Sequence, residues 1–278
     1  MPASEDQMKR NSGKTAIVTG ASSGIGRASA EALAKAGFTV FGTSRRTTSK
    51  GPSGVIMLTG DVTDDASVAA VVKSVIDETG RIDLLVNNAG SGLSGGAEEF
   101  STEEAKALFD VNVFGIARMT RAVLPTMRAQ GQGRIVNISS VLGLVPTPYM
   151  ALYSATKFAV EGYSESLDHE VREFGIRVVL VEPGFTNTSF EQNRTLPDQP
   201  MPLYDRARAK VDAYFRKLAA TGDSAELVAD VVLKAAQDRS PKTRYLAGKN
   251  AHQLNMLRRL MPAQLFDMSL RKEMSLPV

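Results

Sequence analysis

Short runs of apolar, β-branched residues alternate along the chain with longer amphipathic stretches, the pattern of strands joined by crossover helices around a parallel sheet. The short runs predict strands from Thr15 to Thr19, Thr39 to Thr43, Val55 to Thr59, Leu84 to Asn87, Arg134 to Ser139, Arg177 to Glu182 and Arg244 to Ala247. The longer stretches predict helices from Ile25 to Ala36, Ala66 to Thr79, Glu103 to Arg128, Ala151 to Glu173 and Ala225 to Gln237. No repeat, low-complexity tract or long linker breaks the alternation. The chain therefore reads as one doubly wound α/β domain with a seven-stranded parallel sheet over residues 14–248, after a flexible segment of residues 1–13 and before a helical extension of residues 249–278. The proline-rich stretch from Leu196 to Leu203 reads as a mobile loop of the kind that forms lids. In open parallel sheets the ligand crevice lies at the carboxyl ends of the strands, where strand order reverses. The polar motifs of this chain fall at such ends or in the helices that follow them.

Composition narrows the picture by exclusion. With 278 residues, 43% hydrophobic and 23% charged, the chain can bury one large core. A net charge of +3, without interleaved aromatic and basic residues, argues against a nucleic-acid partner. The absence of cysteine excludes a disulfide framework, a thiolate metal site and a cysteine nucleophile, and fits a reducing compartment. The first thirteen residues lack the apolar core of a signal peptide, and nowhere do 18 apolar residues run together. A soluble cytoplasmic protein without a membrane span or a metal site is the expectation. From Pro241 onward Lys and Arg are richer, as in Arg258-Arg259 and Arg271-Lys272; a solvated helix face or subunit contact is the preferred reading over an anionic-partner site.

Gly20, Gly24 and Gly26 follow the first strand directly and open the first helix, the context in which a glycine-rich turn means dinucleotide binding. Missing side chains let the backbone turn tightly and approach a pyrophosphate, whose charge the helix N-terminus favours. A tight strand-to-helix connection is the alternative for the turn taken alone. About twenty residues on, the second strand ends in Thr43-Ser44-Arg45-Arg46. A carboxylate there holds the 2'-hydroxyl of NAD, whereas an arginine accommodates the 2'-phosphate of NADP. No carboxylate is present, so NADP(H) is the expected cofactor, with solvated loop arginines as the alternative. Asp61-Val62 ends the third strand, where Asp61 either meets the adenine amino group or caps the next helix. Asn87-Asn88-Ala89-Gly90 ends the fourth strand and fits an ordinary turn as well as backbone approach to a ribose.

The fifth strand runs into Ser139-Ser140, and Tyr153 and Lys157 then sit in the first turns of a helix. Residues at i, i+4 share a helix face about 6 Å apart along the axis. An unperturbed tyrosine, with a pKa near 10, is a poor acid-base catalyst at neutrality. An ammonium about 4 Å away, at an effective dielectric near 20, favours phenolate by about 4 kcal/mol, or about three pKa units. Ser140 supplies a hydroxyl for a substrate oxygen, and Asn112 can join the lysine to a proton path through water. Each residue also has an ordinary structural alternative: a surface Tyr-Lys pair, a turn serine, and a mid-helix Asn bonded to a neighbouring carbonyl. Together with the nucleotide half these alternatives become improbable.

With Thr19-Gly-x3-Gly-x-Gly26, Asn87-Asn-Ala-Gly90, Asn112, Ser140, Tyr153-x3-Lys157 and Pro183-Gly184 in this order and spacing, the chain resembles the short-chain dehydrogenase/reductase family from about Lys14 to Gly248. The resemblance implies Tyr153 as general acid-base, Lys157 as a second contact to the nicotinamide ribose, Ser140 orienting the carbonyl and Asn112 anchoring a relay water. It places Gly20, Ser22, Ile25, Arg45, Asp61, Val62, Asn88, Pro183 and Thr188 at cofactor positions. In the family's Pro-Gly-x-Val/Ile-x-Thr segment this chain has Phe185 then Thr186, a departure that bears on the carboxamide contacts. The stretch from Tyr153 to Leu167 is similar to the branch of hydroxysteroid and retinol dehydrogenases, which implies a bulky apolar substrate; Val141 to Pro146, Met150 and Phe190 fit an apolar pocket or plain loop packing. A 3-oxoacyl-carrier-protein reductase and a non-catalytic NADP-sensing regulator are the alternatives. Apolar residues beyond a single stripe on the helices from Glu103 to Arg128 (Leu108, Val111, Phe114, Met119) and Ala151 to Glu173 (Phe158, Tyr163, Leu167) predict a homodimer or homotetramer built on that helix pair.

Overall fold

Each of the seven predicted strands forms. The computed structural model describes residues 13–46, 51–188, 190 and 194–277; the N-terminal segment expected to be flexible lies outside these, except for Gly13. The strands are β1 (Thr15–Val18), β2 (Thr39–Ser44), β3 (Val55–Thr59), β4 (Leu84–Asn87), β5 (Gly133–Ile138), β6 (Ile176–Pro183) and β7 (Arg244–Ala247), in the spatial order β3-β2-β1-β4-β5-β6-β7. Every neighbouring pair is parallel. Strand order reverses between β1 and β4, so a crevice opens at their carboxyl ends.

Because side chains alternate across a strand, a sheet covered on both faces must be apolar at consecutive positions. β1 shows this directly. Ala16 and Val18 pack with helices α1 (Gly24–Lys35) and α7 (Ala225–Gln237) through Ala30, Leu33, Val228 and Val232. Ile17 points to the opposite face, where α2 (Asp65–Thr79), α4 (Gly115–Gln130) and α5 (Ala151–Val171) contribute Val72, Val75, Val123, Met127 and Leu167. Each such buried Val, Leu, Ile or Met side chain is worth about 1.5–3 kcal/mol relative to exposure, and each alanine less.

Two elements depart from the sequence reading. The helix predicted from Glu103 to Arg128 is α3 (Thr102–Phe109) joined to α4 through a π-turn over Asp110–Phe114, with Asn112 at its centre and the Gly115 N–H donating to the Asp110 carbonyl. A further helix, α6 (Asp205–Ala220), was not anticipated. The expected C-terminal helices are α8 (Lys249–Leu260) and α9 (Ala263–Glu273). The stretch expected to be a mobile lid is a loop up to a 3-10 turn at Pro202–Tyr204, and it is tied down: the N–H groups of Asp198 and Met201 donate to Glu104 Oε1 at 3.4 Å and Glu99 Oε1 at 2.7 Å.

Gly26 shows how close the first helix lies to the sheet. A Cβ there would stand 2.3 Å from both Asn88 Nδ2 and the Gly20 carbonyl oxygen. We predict that Gly26→Ala lowers the unfolding free energy by about 3 kcal/mol through overpacking, read as a lower urea midpoint at unchanged slope. A midpoint within error of the unmodified protein would show that the turn yields.

Candidate active site

The carboxyl ends of β1, β2, β4, β5 and β6 surround a cleft of about 760 Å³, and the glycine turn, the β2 rim, the residues after β4 and the Ser140-Tyr153-Lys157 group all line it. Gly20 and Gly24 have φ of 66° and 52°, left-handed values that suit glycine. A Cβ on Gly20 would lie 3.0 Å from Ala89 Cα and from Asn88 Nδ2. Asn88 Nδ2 donates to the carbonyls of Thr19 and Gly20 at 3.0 and 3.2 Å, and the N–H groups of Asn88 and Ala89 each donate to Thr19 Oγ1 at 3.0 Å. Gly26 does not line the cleft; it allows this packing behind it.

The N-terminus of α1 is left open towards the cleft. Ser23 at its N-cap makes no side-chain capping bond and the first turn carries no acid, whereas α2 has Asp64 accepting the Ala66 N–H at 2.8 Å. First-turn N–H groups beside Ser22, Gly24 and Ile25, with no side chain among the described residues bonded to them, fit a dinucleotide pyrophosphate. Asp64, not Asp61, caps α2. Asp61 Oδ1 instead accepts the N–H and hydroxyl of Thr63 at 2.9 and 2.7 Å. The Thr63 N–H foremost, then its hydroxyl and the charges of Arg45 and Arg118, hold the Asp61 carboxyl below its ordinary range against the opposing effect of burial. Arg45 and Arg46 are exposed at the β2 end, and Ser44 Oγ accepts the Arg46 N–H at 3.4 Å. Val62, Gly90, Pro183, Gly184, Thr186 and Thr188 complete this half of the wall. Thr186 is anchored by a backbone bridge to Asp223 and by its hydroxyl donating to the Gly184 carbonyl at 3.2 Å.

At the other end Ser140 Oγ accepts the Leu142 N–H at 3.1 Å, which fixes the oxygen while its own proton stays available. Lys157 is buried; its ammonium donates to the Ile138 carbonyl at 2.9 Å and lies 5.6 Å from the centroid of the Tyr153 ring. Asn112 is buried behind the cleft, outside its wall. Its Oδ1 accepts the Ser91 N–H at 2.9 Å, and its Nδ2 donates to the Ser91 carbonyl at 2.9 Å and to Thr156 Oγ1 at 3.2 Å. The side chain thus ties the loop after β4 to the helix turn carrying Lys157.

Behind the lysine stands a buried acidic cluster that the sequence reading did not anticipate. Glu161, one turn on, and Glu182 share the Arg244 guanidinium, 2.7 Å from Glu182, which also reaches Glu165 at 3.0 Å. Burial and the neighbouring Glu182 push the Glu161 carboxyl well up. Burial pulls the Lys157 ammonium down to about 8, and the Glu161 carboxylate works against that fall. Over the chemical end, Tyr153 and Phe190 rings sit 5.6 Å apart, and Val141, Leu142, Met150 and Phe185 add an apolar wall. Phe215 and Ala219 of α6 close it. Their signal was Val211, Tyr214, Phe215 and Leu218, an i, i+3, i+4, i+7 stripe masked by dense charge.

Comparison with known proteins agrees with this geometry. The sequence model of the short chain dehydrogenase family matches residues 14–199, and the chain belongs to that family of oxidoreductases acting on carbonyl and alcohol groups. It is 47% identical over 202 residues to a 3-ketodihydrosphingosine reductase of Bacteroides thetaiotaomicron, covering 73% of each chain. It is 36% identical over 248 residues to a 3-oxoacyl-[acyl-carrier-protein] reductase of Vibrio cholerae, covering 86% of this chain and 95% of that one. A short chain dehydrogenase/reductase from Burkholderia phymatum, solved in complex with NAD, superposes with a TM-score of 0.77 at 29% identity, over 94% of this chain and 96% of the other.

If Lys157 must be charged to act, activity of the free enzyme falls as pH rises through about 8. Glu161, itself pushed up to about 8, ionises over the same range, and its carboxylate then helps to hold that proton on. Glu161→Gln should therefore move the alkaline limb of kcat/KM to lower pH, by about one unit, with little change on the plateau. An unmoved limb would separate the acidic cluster from the lysine.

Proposed function

We propose that the protein is an NADPH-dependent oxidoreductase that interconverts a bulky apolar, long-chain ketone and its alcohol. The observation that carries this is a buried ammonium beside the Tyr153 ring, in the same cleft as Ser140 and as an uncapped helix N-terminus with an arginine rim. When bound, the nicotinamide supplies or accepts the hydride. The Tyr153 phenol gives its proton to the carbonyl oxygen, the Ser140 hydroxyl donates to the same oxygen, and Lys157 favours the phenolate left behind. Arg45, with Ser44, offers two guanidinium hydrogens to a 2'-phosphate, which is why NADPH is proposed although the Burkholderia protein was solved with NAD.

The apolar wall of Val141, Leu142, Met150, Phe190 and Phe215 and the similarity of residues 153–167 to the hydroxysteroid and retinol branch support a bulky apolar substrate, and the likeness to a 3-ketodihydrosphingosine reductase supports a long chain. The second reading, reduction of carrier-bound 3-oxoacyl chains, rests on the likeness to the Vibrio enzyme. We further propose a homodimer through α3–α4 and α5. Leu108, Met119 and Leu167 are absorbed by the core, but Phe114 and Phe158 remain 53% and 45% exposed on those helices. Light scattering should give at least a dimer mass, and Phe158→Glu should shift it towards monomer.

Assays with free 3-ketodihydrosphingosine, sterol ketones and carrier-bound 3-oxoacyl chains separate the substrate readings. Free long-chain ketone should turn over fastest, and preference for the carrier-bound substrate would favour the second reading. Tyr153→Phe should cut turnover about a thousandfold while leaving NADPH affinity near unchanged, because it deletes a proton and almost no volume. The unmodified enzyme should prefer NADPH over NADH about tenfold or more in kcat/KM, and Arg45→Ala should raise KM for NADPH alone. Equal efficiency with both cofactors would reduce Arg45 to a solvated charge.

A further inference from the structure

The C-terminal helix pair carries two features that are otherwise spread thinly over the molecule. Among the described residues twelve large hydrophobic side chains are exposed, and five of them, Met256, Leu257, Leu260, Leu265 and Met268, fall within α8, α9 and the turn between. Leu260 is 78% exposed. Residues 256 and 260 are i, i+4, and 257 and 260 as well as 265 and 268 are i, i+3, so each helix gathers these side chains on one face. The opposite faces are used: Ala251, Leu254, Phe266 and Leu270 turn inward. Solitary exposed leucines need no explanation, but a concentration of this kind marks a contact surface.

Charge is concentrated in the same place. Of 33 Lys and Arg and 30 Asp and Glu, five and two respectively lie beyond Gly248, so the preceding residues carry 28 of each sign and the extension holds the whole net charge of +3. Lys249, Arg258, Arg259 and Lys272 are all exposed, and Arg258 lies over the Phe266 ring at 5.4 Å. Apolar side chains and cations exposed together on one helix pair are the composition that binds in the headgroup layer of an anionic bilayer. Two copies docked through this face would bring like charges together, which disfavours self-association. No helix among the described residues is long and apolar enough to cross a membrane, so this contact would lie in the interface plane.

The pair is also continuous with the cleft. Ala251, Leu254, Leu270 and Met274 pack in one cluster with Val141, Leu142, Met150, Tyr153 and Phe215, the apolar wall around the reacting end. We propose that α8 and α9 form a docking surface for an anionic lipid bilayer and hold the apolar end of the cleft beside the membrane.

The test is flotation of the full chain with phosphatidylcholine vesicles, pure or containing about one-third phosphatidylglycerol, at low and high salt. Binding to the anionic vesicles should exceed that to neutral ones at least about tenfold at low salt and fall steeply as salt rises. Leu257→Asp with Leu260→Asp, and separately Lys249→Glu with Lys272→Glu, should each weaken it about tenfold or more. Turnover of a water-soluble ketone and circular dichroism should stay unchanged in both variants. No vesicle binding by the unmodified protein, or equal binding to neutral and anionic vesicles, overturns the proposal, whatever the variants do. So does a change of mass in light scattering with vesicle binding intact, which would make the face a contact between copies. The vesicle measurement involves no turnover and stands apart from the choice of ketone.

Discussion

The fold turns on the side chain of Asn88. At the switch point β1 and β4 run side by side and then send their connections to opposite faces, which would leave backbone carbonyls unpartnered at the bottom of the crevice. The Asn88 amide spans that opening to the Thr19 and Gly20 carbonyls, while Thr19 Oγ1 accepts two N–H groups from the facing strand end. Four such bonds contribute about 1 kcal/mol each in net terms, yet their larger effect is geometric. Gly26 must be glycine because the amide occupies the place of its Cβ. The lattice continues past the turn: the chain after β4 reaches Ser91, Asn112 holds both backbone groups of Ser91, and its amide reaches Thr156 beside Lys157. The glycine turn and the helix carrying Tyr153 and Lys157 are thus positioned by one run of hydrogen bonds.

That rigidity is what makes a buried lysine tolerable. Removing an ammonium from water costs several kcal/mol unless charge and hydrogen-bond partners compensate. Lys157 has the Ile138 carbonyl directly and a carboxylate cluster behind it, where one guanidinium serves Glu161, Glu165 and Glu182. Three acids around one base form an electrostatically unsettled arrangement. Burial holds Glu161 and Glu182 above the ordinary carboxylate range and Lys157 below that of an ammonium, directly behind the candidate site, where proteins commonly violate the rules that hold elsewhere in their structure.

The sheet was legible in the sequence because burial on both faces leaves unbroken apolar runs, as in β6, whose residues from Val178 to Pro183 are all buried. The site was legible because Tyr153 and Lys157 lie one helical turn apart and the glycines follow a strand directly, so local spacing fixes spatial neighbourhood. The π-turn at Asn112 was not, since a one-residue widening of a helix leaves its amphipathic pattern nearly unchanged. Helix α6 was hidden by its charges, and the role of Asp61 depended on whether it or Asp64 took the cap of α2. Glu161, Glu182 and Arg244 meet only through the pairing of β6 with β7 and the packing of α5, a convergence over more than sixty residues that no local pattern announces.

The family model ends at residue 199, and that division has a consequence for how such a molecule can diversify. Cofactor turn, switch point, serine, tyrosine and lysine all lie before it, whereas Phe215, Ala219, Leu254, Leu270 and Met274, which wall or back the apolar end, come after it. The hydrogen-bonded lattice of the first part makes no use of those later side chains. A lineage can therefore reshape the helices after residue 199, and with them the apolar wall, while keeping the glycine turn and the Ser140, Tyr153 and Lys157 positions, provided that Arg244 stays to pair the carboxylates behind the lysine.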